Sequence, residues 1–207
     1  MNNITETIYK ILKKELFLTV EASGRHVHLS DEVKDFLFGK NYEFQIAKPL
    51  SQPGQYAAKE RVDIISPKGT IKNVAILGPT RPECQVEISL TDARALGLNP
   101  PIRLSGDIKE SPGIILQANN KQIEIKSGVI IAKRHIHLTP ETAERLNVKD
   151  KENVRIKLFG KRPLIFDDTI IRVSDKFSDA VHIDYDEANA SGFSNSSFAI
   201  ILKHYDL

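Results

Sequence analysis

The chain has 207 residues but one cysteine, Cys84, one methionine and no tryptophan. A single thiol excludes a disulfide framework and a cysteine-built zinc knuckle. Lysine and arginine (29) nearly balance aspartate and glutamate (27), so no strong field draws the chain toward nucleic acid or a membrane surface. Long apolar runs are also lacking: none approaches the roughly 18 residues that a membrane span needs. The first residues hold no signal-peptide apolar stretch. These absences point to a cytoplasmic protein, or one inside a bacterial organelle-like compartment, with no nucleic-acid partner and no membrane span. The length suffices for one or two domains with real cores.

Residues 3–17 place Ile4, Ile8, Ile11, Leu12 and Leu16 at helical spacing, with Lys and Glu between them. The pattern predicts an N-terminal amphipathic helix within 1–17, either capping a core or docking on a partner. From Leu16 onward the pattern changes to short, β-branched runs such as FLTVEA, RVDIISP, NVAILGP, CQVEIS, GVIIAK, VRIKLFG and TIIRVS. Gly, Pro, Asn and Asp separate them. A mainly β protein of barrel or sandwich type is expected. Short helices interrupt it at about 31–38, 91–97, 140–146 and 186–192.

Two internal matches stand out. Gly24-Arg25-His26-Val27-His28-Leu29-Ser30 recurs as Lys133-Arg134-His135-Ile136-His137-Leu138-Thr139, 109 positions on. The segment from Val86 to Leu98 recurs as Val181 to Phe193, 95 positions on. Two matches in the same order indicate duplication of a β-rich unit. The offset falls because the first copy carries a longer connection, expected within 40–60.

The chemistry sits in those matches. In a strand, residues i and i+2 point to one side, so His26 and His28 aim together, as do His135 and His137. Two imidazoles so placed can bind one ion. The duplication adds a third donor to each pair, because His182 stands where Glu87 stands in the first copy. The candidate metal ligands are therefore His26, His28 and Glu87 in one trio, and His135, His137 and His182 in the other. Three protein ligands leave a position open, which is the pattern of catalytic zinc. A lone His-x-His is more often an ordinary hydrogen-bonded pair; two copies with matched third donors weigh against that.

His26-x-His28-x3-Glu32 also has the look of a cupin motif, which would make the chain a bicupin-like metal enzyme. A cupin places that glutamate on a strand. Here Ser30-Asp31-Glu32 and Thr139-Pro140-Glu141 read as helix starts, so Glu32 and Glu141 are expected in first turns with no ligand role.

Arg81 lies in the turn Gly78-Pro79-Thr80-Arg81-Pro82, just before the Glu87 segment. It is either a solvated turn residue or an anion site whose planar fork grips phosphate. Arg103 and Ser105 lie in a second polar turn; Ser105 offers a hydroxyl to phosphate or CoA, or serves only the turn. Arg25 and Arg134 precede the histidine pairs and either hold carboxylates or face substrate. Cys84 precedes Glu87 by three, so strand alternation aims it away from the trio, as a small core residue.

With these residues in hand, the sequence resembles the PduL-type phosphotransacylases, the phosphate propanoyltransferases of bacterial microcompartments and their relatives. The resemblance is carried by the two Arg-His-x-His segments and by Gln52-Pro53-Gly54-Gln55-Tyr56-Ala57-Ala58-Lys59-Glu60. Leu77-Gly78-Pro79 with Arg81, Gln85-Val86-Glu87-Ile88-Ser89, Arg103 with Ser105-Gly106-Asp107, and His182-Ile183-Asp184 with Asp186-Glu187-Ala188 add to it. The resemblance runs from about 18 to 193. It implies two similar β-barrel domains, 25–130 and 131–207, the second completed by the strand 18–24. It implies two zinc ions per chain on the six ligands above, Arg81 as the phosphate-binding arginine, and a CoA thioester substrate. It also implies a homo-oligomer such as a dimer; the N-terminus departs from microcompartment members, which often carry a longer leading segment, and contact with a microcompartment shell or cargo is expected only through the amphipathic N-terminal helix. The expected reaction joins a short-chain acyl-CoA, propanoyl or acetyl, and phosphate to give acyl phosphate and CoA, by direct transfer. Alternatives from other classes are a metal-dependent phosphohydrolase and a non-catalytic zinc-binding module.

Overall fold

The computed structural model describes residues 6–7 and 15–202. Most of the expected N-terminal helix therefore lies outside the described residues, and with it the expected shell or cargo contact. The described residues divide into two compact units, Gly24–Lys133 and a second made of those before 24 with those after 133.

The first strand among the described residues is β1 (Leu18–Ser23). The middle unit then holds β2 (His26–His28), α1 (Asp31–Phe38), β3 (Ile46–Pro49), β4 (Tyr56–Ile65), β5 (Thr70–Gly78) and β6 (Gln85–Glu87). After these come α2 (Leu90–Leu96), β7 (Ile102–Arg103), β8 (Ile114–Ala118), β9 (Lys121–Ile125) and β10 (Val129–Ala132). The terminal unit adds to β1 the elements β11 (His135–Leu138), α3 (Pro140–Arg145), β12 (Asn153–Phe159), β13 (Leu164–Val173), β14 (Ala180–Asp184), α4 (Tyr185–Ser191) and β15 (Phe198–Leu202).

The architecture is mainly β with four short helices among the described residues, each within a residue of its predicted start. Local chemistry explains the helix starts. Ser30 and Thr139 cap α1 and α3 by accepting from the N–H of Val33 and Thr142, and Pro140 opens α3. Ser89 with Asp92, and Asp184 with Glu187, form capping boxes on α2 and α4. Glu32 and Glu141 are exposed in first turns, away from the histidines, and this removes the cupin reading.

The terminal unit is a closed barrel in the order β1-β14-β11-β13-β12-β15. Its core follows from alternation: along β12, Val154, Ile156 and Leu158 point inward, to meet Ile136, Leu138, Ile171 and Val181. The middle unit is an open nine-stranded sheet, β7-β10-β6-β2-β5-β4-β8-β9 with β3 added beside β4. Val27, Leu29, Leu37, Ile64, Ile76, Val86 and Leu116 fill its core.

The duplicated piece is visible in the pairing. In both units the His-x-His strand runs parallel to one neighbour (β5 or β13) and antiparallel to another (β6 or β14). The longer connection of the first copy is the stretch between α1 and β4, which includes β3.

Candidate metal and anion site

The antiparallel register sets the third donor of each trio. His26 stands opposite Glu87, and His135 opposite His182. The ligand-capable atoms of each trio lie within 4.8 Å of one another. His26, His28, Glu87, His137 and His182 are buried, while His135 is half-buried.

The electrostatics differ between the trios. Burial pushes the His28 imidazolium down to about 3, helped by His26 and Arg81. Burial likewise pushes His137 to about 2, helped by His135 and His182. Burial opposes charge on His26 and Glu87 too. Their mutual attraction across 3.4 Å overrides it, raising His26 and holding Glu87 well below the usual carboxylate range. His28 and His137 are therefore neutral at physiological pH, as metal ligation demands.

The residues fit a metal by a separate observation. His28 Nδ1 and both ring nitrogens of His137 are buried with no hydrogen-bond partner. Leaving such groups unmet costs about 1–3 kcal/mol each, which an ion would offset. His26 Nδ1 donates to the Gly24 carbonyl (2.8 Å), so its Nε2 lone pair faces the trio. His182 Nδ1 lies 3.7 Å from a Glu21 carboxylate oxygen. Imidazole and carboxylate donors suit zinc and related ions.

Arg81 joins the first trio through one hydroxyl. Its guanidinium donates to Ser105 Oγ (3.0 Å), which donates to Glu87 Oε1 (2.8 Å). Gln85 Nε2 donates to the same carboxylate oxygen (2.5 Å) and to Ser105 (2.9 Å). Its carbonyl oxygen accepts from the Gly106 N–H (2.7 Å), fixing the Ser105 turn. The Arg81 N–H donates to the Leu29 carbonyl (2.9 Å), which anchors the other turn. Upstream, the Tyr56 ring lies over Gly78, where a Cβ would come within 2.2 Å of it; only glycine permits that approach. Arg103 pairs with Asp107 at 3.6 Å.

Cys84 is buried and accepts from the Ser30 N–H at 3.2 Å. Its positional counterpart, Asp179, accepts from the Thr139 N–H at 2.7 Å. Both serve the start of the helix that follows the histidine pair. Arg25 and Arg134 hold carboxylates, those of Asp92 (2.8 Å) and Glu187 (2.7 Å).

Four neighbours escaped the sequence reading. Gln85 carries neither charge nor metal affinity; its place opposite His28 is the only signal. Phe177 stacks on His137 with ring centroids 4.0 Å apart, and Arg172 lies 5.5 Å from the centre of that phenyl ring. Neither sits in a recognisable motif. Glu21 lies far from His182 in sequence, and only the β1–β14 register brings them together.

The sequence that builds these two metal-competent trios has relatives among known proteins. The profile of the phosphate propanoyltransferase family matches residues 19–194. A phosphate propanoyltransferase of Clostridioides difficile is 56% identical over 203 residues, covering 98% of this chain and 97% of the relative. One from Leptotrichia buccalis is 53% identical over 202 residues (97% and 96%), and one from Thermotoga maritima 50% over 204 (98% and 97%). The chain belongs to the phosphate propanoyltransferase family, a family of acyl-transferring enzymes. No helix among the described residues is long and apolar enough to cross a membrane.

Proposed function

We propose that the chain interconverts a short-chain acyl-CoA, propanoyl-CoA or acetyl-CoA, and phosphate with acyl phosphate and CoA. The observation that carries this reading is the Arg81–Ser105–Glu87 chain, which ties an anion-binding guanidinium to a metal-competent trio. His26, His28 and Glu87 would hold one zinc-like ion and His135, His137 and His182 a second. Such an ion, when bound, supplies Lewis acidity toward a thioester carbonyl or a leaving thiolate.

The protein side chains do the rest. Arg81 grips two phosphate oxygens with its fork and leaves a third free to attack the carbonyl carbon. The C–S bond then breaks and CoA leaves as its thiolate. Phosphate is already an anion at neutral pH, so no general base is needed. Ser105 and Gln85 keep Arg81 and Glu87 in register. Transfer is direct, since the one thiol, Cys84, is buried in the apolar core of the middle unit and stands in neither trio. Ser105 touches phosphate or CoA once Arg81 turns to its ligand, and Arg103, on the same turn and partly exposed beside Asp107, offers a second cationic contact to phosphate or CoA.

The test is CoA release from propanoyl-CoA with and without phosphate. Phosphate-dependent release with matching acyl phosphate supports transfer. Phosphate-independent release means hydrolysis. No turnover by metal-loaded protein means a binding module.

A further inference from the structure

The two units repeat one ion pair that the chemistry above does not use. Arg25 immediately precedes His26, and its guanidinium meets both carboxylate oxygens of Asp92 (Nε–Oδ2 2.9 Å, Nη2–Oδ1 2.8 Å). Arg134 immediately precedes His135, and its Nε donates to Glu187 at 2.7 Å. Asp92 follows Glu87 by five residues, and Glu187 follows His182 by five. Both acids are the N3 residues of capping boxes, so each carboxylate also accepts from the N–H of its own helix cap, Ser89 or Asp184.

We propose that Arg25–Asp92 and Arg134–Glu187 are latches that position the metal ligands, each joining the strand with two donors to the strand with the third. This rests on the metal reading above.

The geometry supplies a route in each unit. Across β2 and β6, the His26–Glu87 pair is near the end of a two-strand contact only three residues long. Beyond it β6 turns into α2 and the ladder stops. The latch replaces that ladder with an ion pair from the residue before His26 to the first turn of α2. It also steadies the Gly24–Arg25 peptide, whose carbonyl accepts from His26 Nδ1 and so keeps Nε2 aimed into the trio. In the barrel, Arg134 is held on two further sides. Nη1 donates to the Asp167 carbonyl at 3.0 Å, and the guanidinium lies 5.2 Å from the centre of the Phe166 ring. Both partners belong to β13, so this latch spans three strands.

Removal of such supporting groups typically costs about 10–100-fold in metal affinity. The test uses the whole chain, loaded with zinc and titrated with a competing chelator. Glu187→Gln is the primary variant, since glutamine keeps the N3 cap but drops the charge. Asp92→Asn is its counterpart. Each should weaken one of the two sites by about tenfold or more and leave the other unchanged. Arg134→Lys should lie between Glu187→Gln and wild type. Ile156→Val, a core change in the barrel, controls for lost stability. Wild-type affinity in both acid variants overturns the latch. So does equal weakening of both sites by either variant, or equal weakening by Ile156→Val at a matched drop in Tm. Wild-type protein that binds no zinc overturns the metal reading itself, and the latch with it.

Discussion

The two copies of the His-x-His unit share their strand pairing but not what surrounds their trios. Opposite His28 stands Gln85; opposite His137 stands Ala180. Gln85 anchors Glu87, Ser105 and the Gly106 turn, whereas alanine anchors nothing. At the position of Arg81 the second copy has Lys176, and next to it Phe177 stacks on His137. One trio is thus wired to a polar network that includes a guanidinium, and the other is packed against an aromatic ring. The comparison teaches that a duplicated scaffold keeps its metal-competent strands while the loop before the third donor diverges. Specialisation is written in that loop.

The comparison breaks most sharply if the first trio is made like the second. Glu87→His keeps three donors but removes the acceptor of Ser105 and Gln85. Hydrogen bonds to charged groups are worth about 1.5–3 kcal/mol each, so kcat/KM for phosphate should fall about a hundredfold or more. Metal content, measured on the same sample, should stay at two per chain. Unchanged phosphate kinetics would mean that the carboxylate does not organise the anion site.

The next test sets Arg81 against Lys176. Arg81→Lys keeps the charge and loses the fork. About tenfold or greater loss in kcat/KM for phosphate is expected, with CoA affinity little altered. Lys176→Ala should leave both within about twofold, since an exposed surface change is usually near neutral. Similar losses from the two substitutions would dissolve the distinction.

Acid should separate the units in the metal-free protein. His137 is held far below the usual 6.5, so the folded barrel refuses a proton that the unfolded chain accepts. Its contribution to stability is present above 6.5 and declines as pH falls through the range down to about 2. One such group costs up to about 1.4 kcal/mol per pH unit. In the middle unit His28 acts the same way, but His26 is raised and therefore favours the folded state below its own range, opposing the loss. Between pH 7 and 5, hydrogen-exchange protection, corrected for the slower intrinsic exchange in acid, should fall in the barrel strands before it does in the open sheet. The opposite order would refute this charge assignment.

The smallest effect is expected at Cys84. As the counterpart of Asp179 it serves a helix start, so Cys84→Ala should retain activity within about threefold and cost roughly 1 kcal/mol, as loss of a cap does. A loss of about a thousandfold in folded protein, several kcal/mol in the barrier, would instead require a covalent acyl-enzyme.

Much of this was legible before the fold was seen. Helix starts follow from Ser30, Thr139, Ser89 and Asp184, whose short polar side chains act within three residues. The grouping of the six donors follows from alternation plus duplication. Closure by the strand 18–24 was implied by the family resemblance alone and was not legible in the local pattern. The barrel closes because β1 pairs with both β14 and β15, contacts spanning most of the chain, and nothing local in LTVEAS announces them. Arg103 and Ser105 read alike, as neighbours in one polar turn. Only tertiary structure sends Ser105 to Glu87 and leaves Arg103 with Asp107.

The placement of β1 also sets a timetable. Val20 pairs with Val181, so a strand synthesised at the start waits for about 160 more residues before its partner exists. At typical synthesis rates of about 5–20 residues per second this is on the order of 8–30 s. Meanwhile the middle unit, whose strands all lie between Gly24 and Lys133, has every residue it needs. Synthesis thus completes the residues of the open sheet before those of the barrel, whose β1 must wait for β14 to emerge.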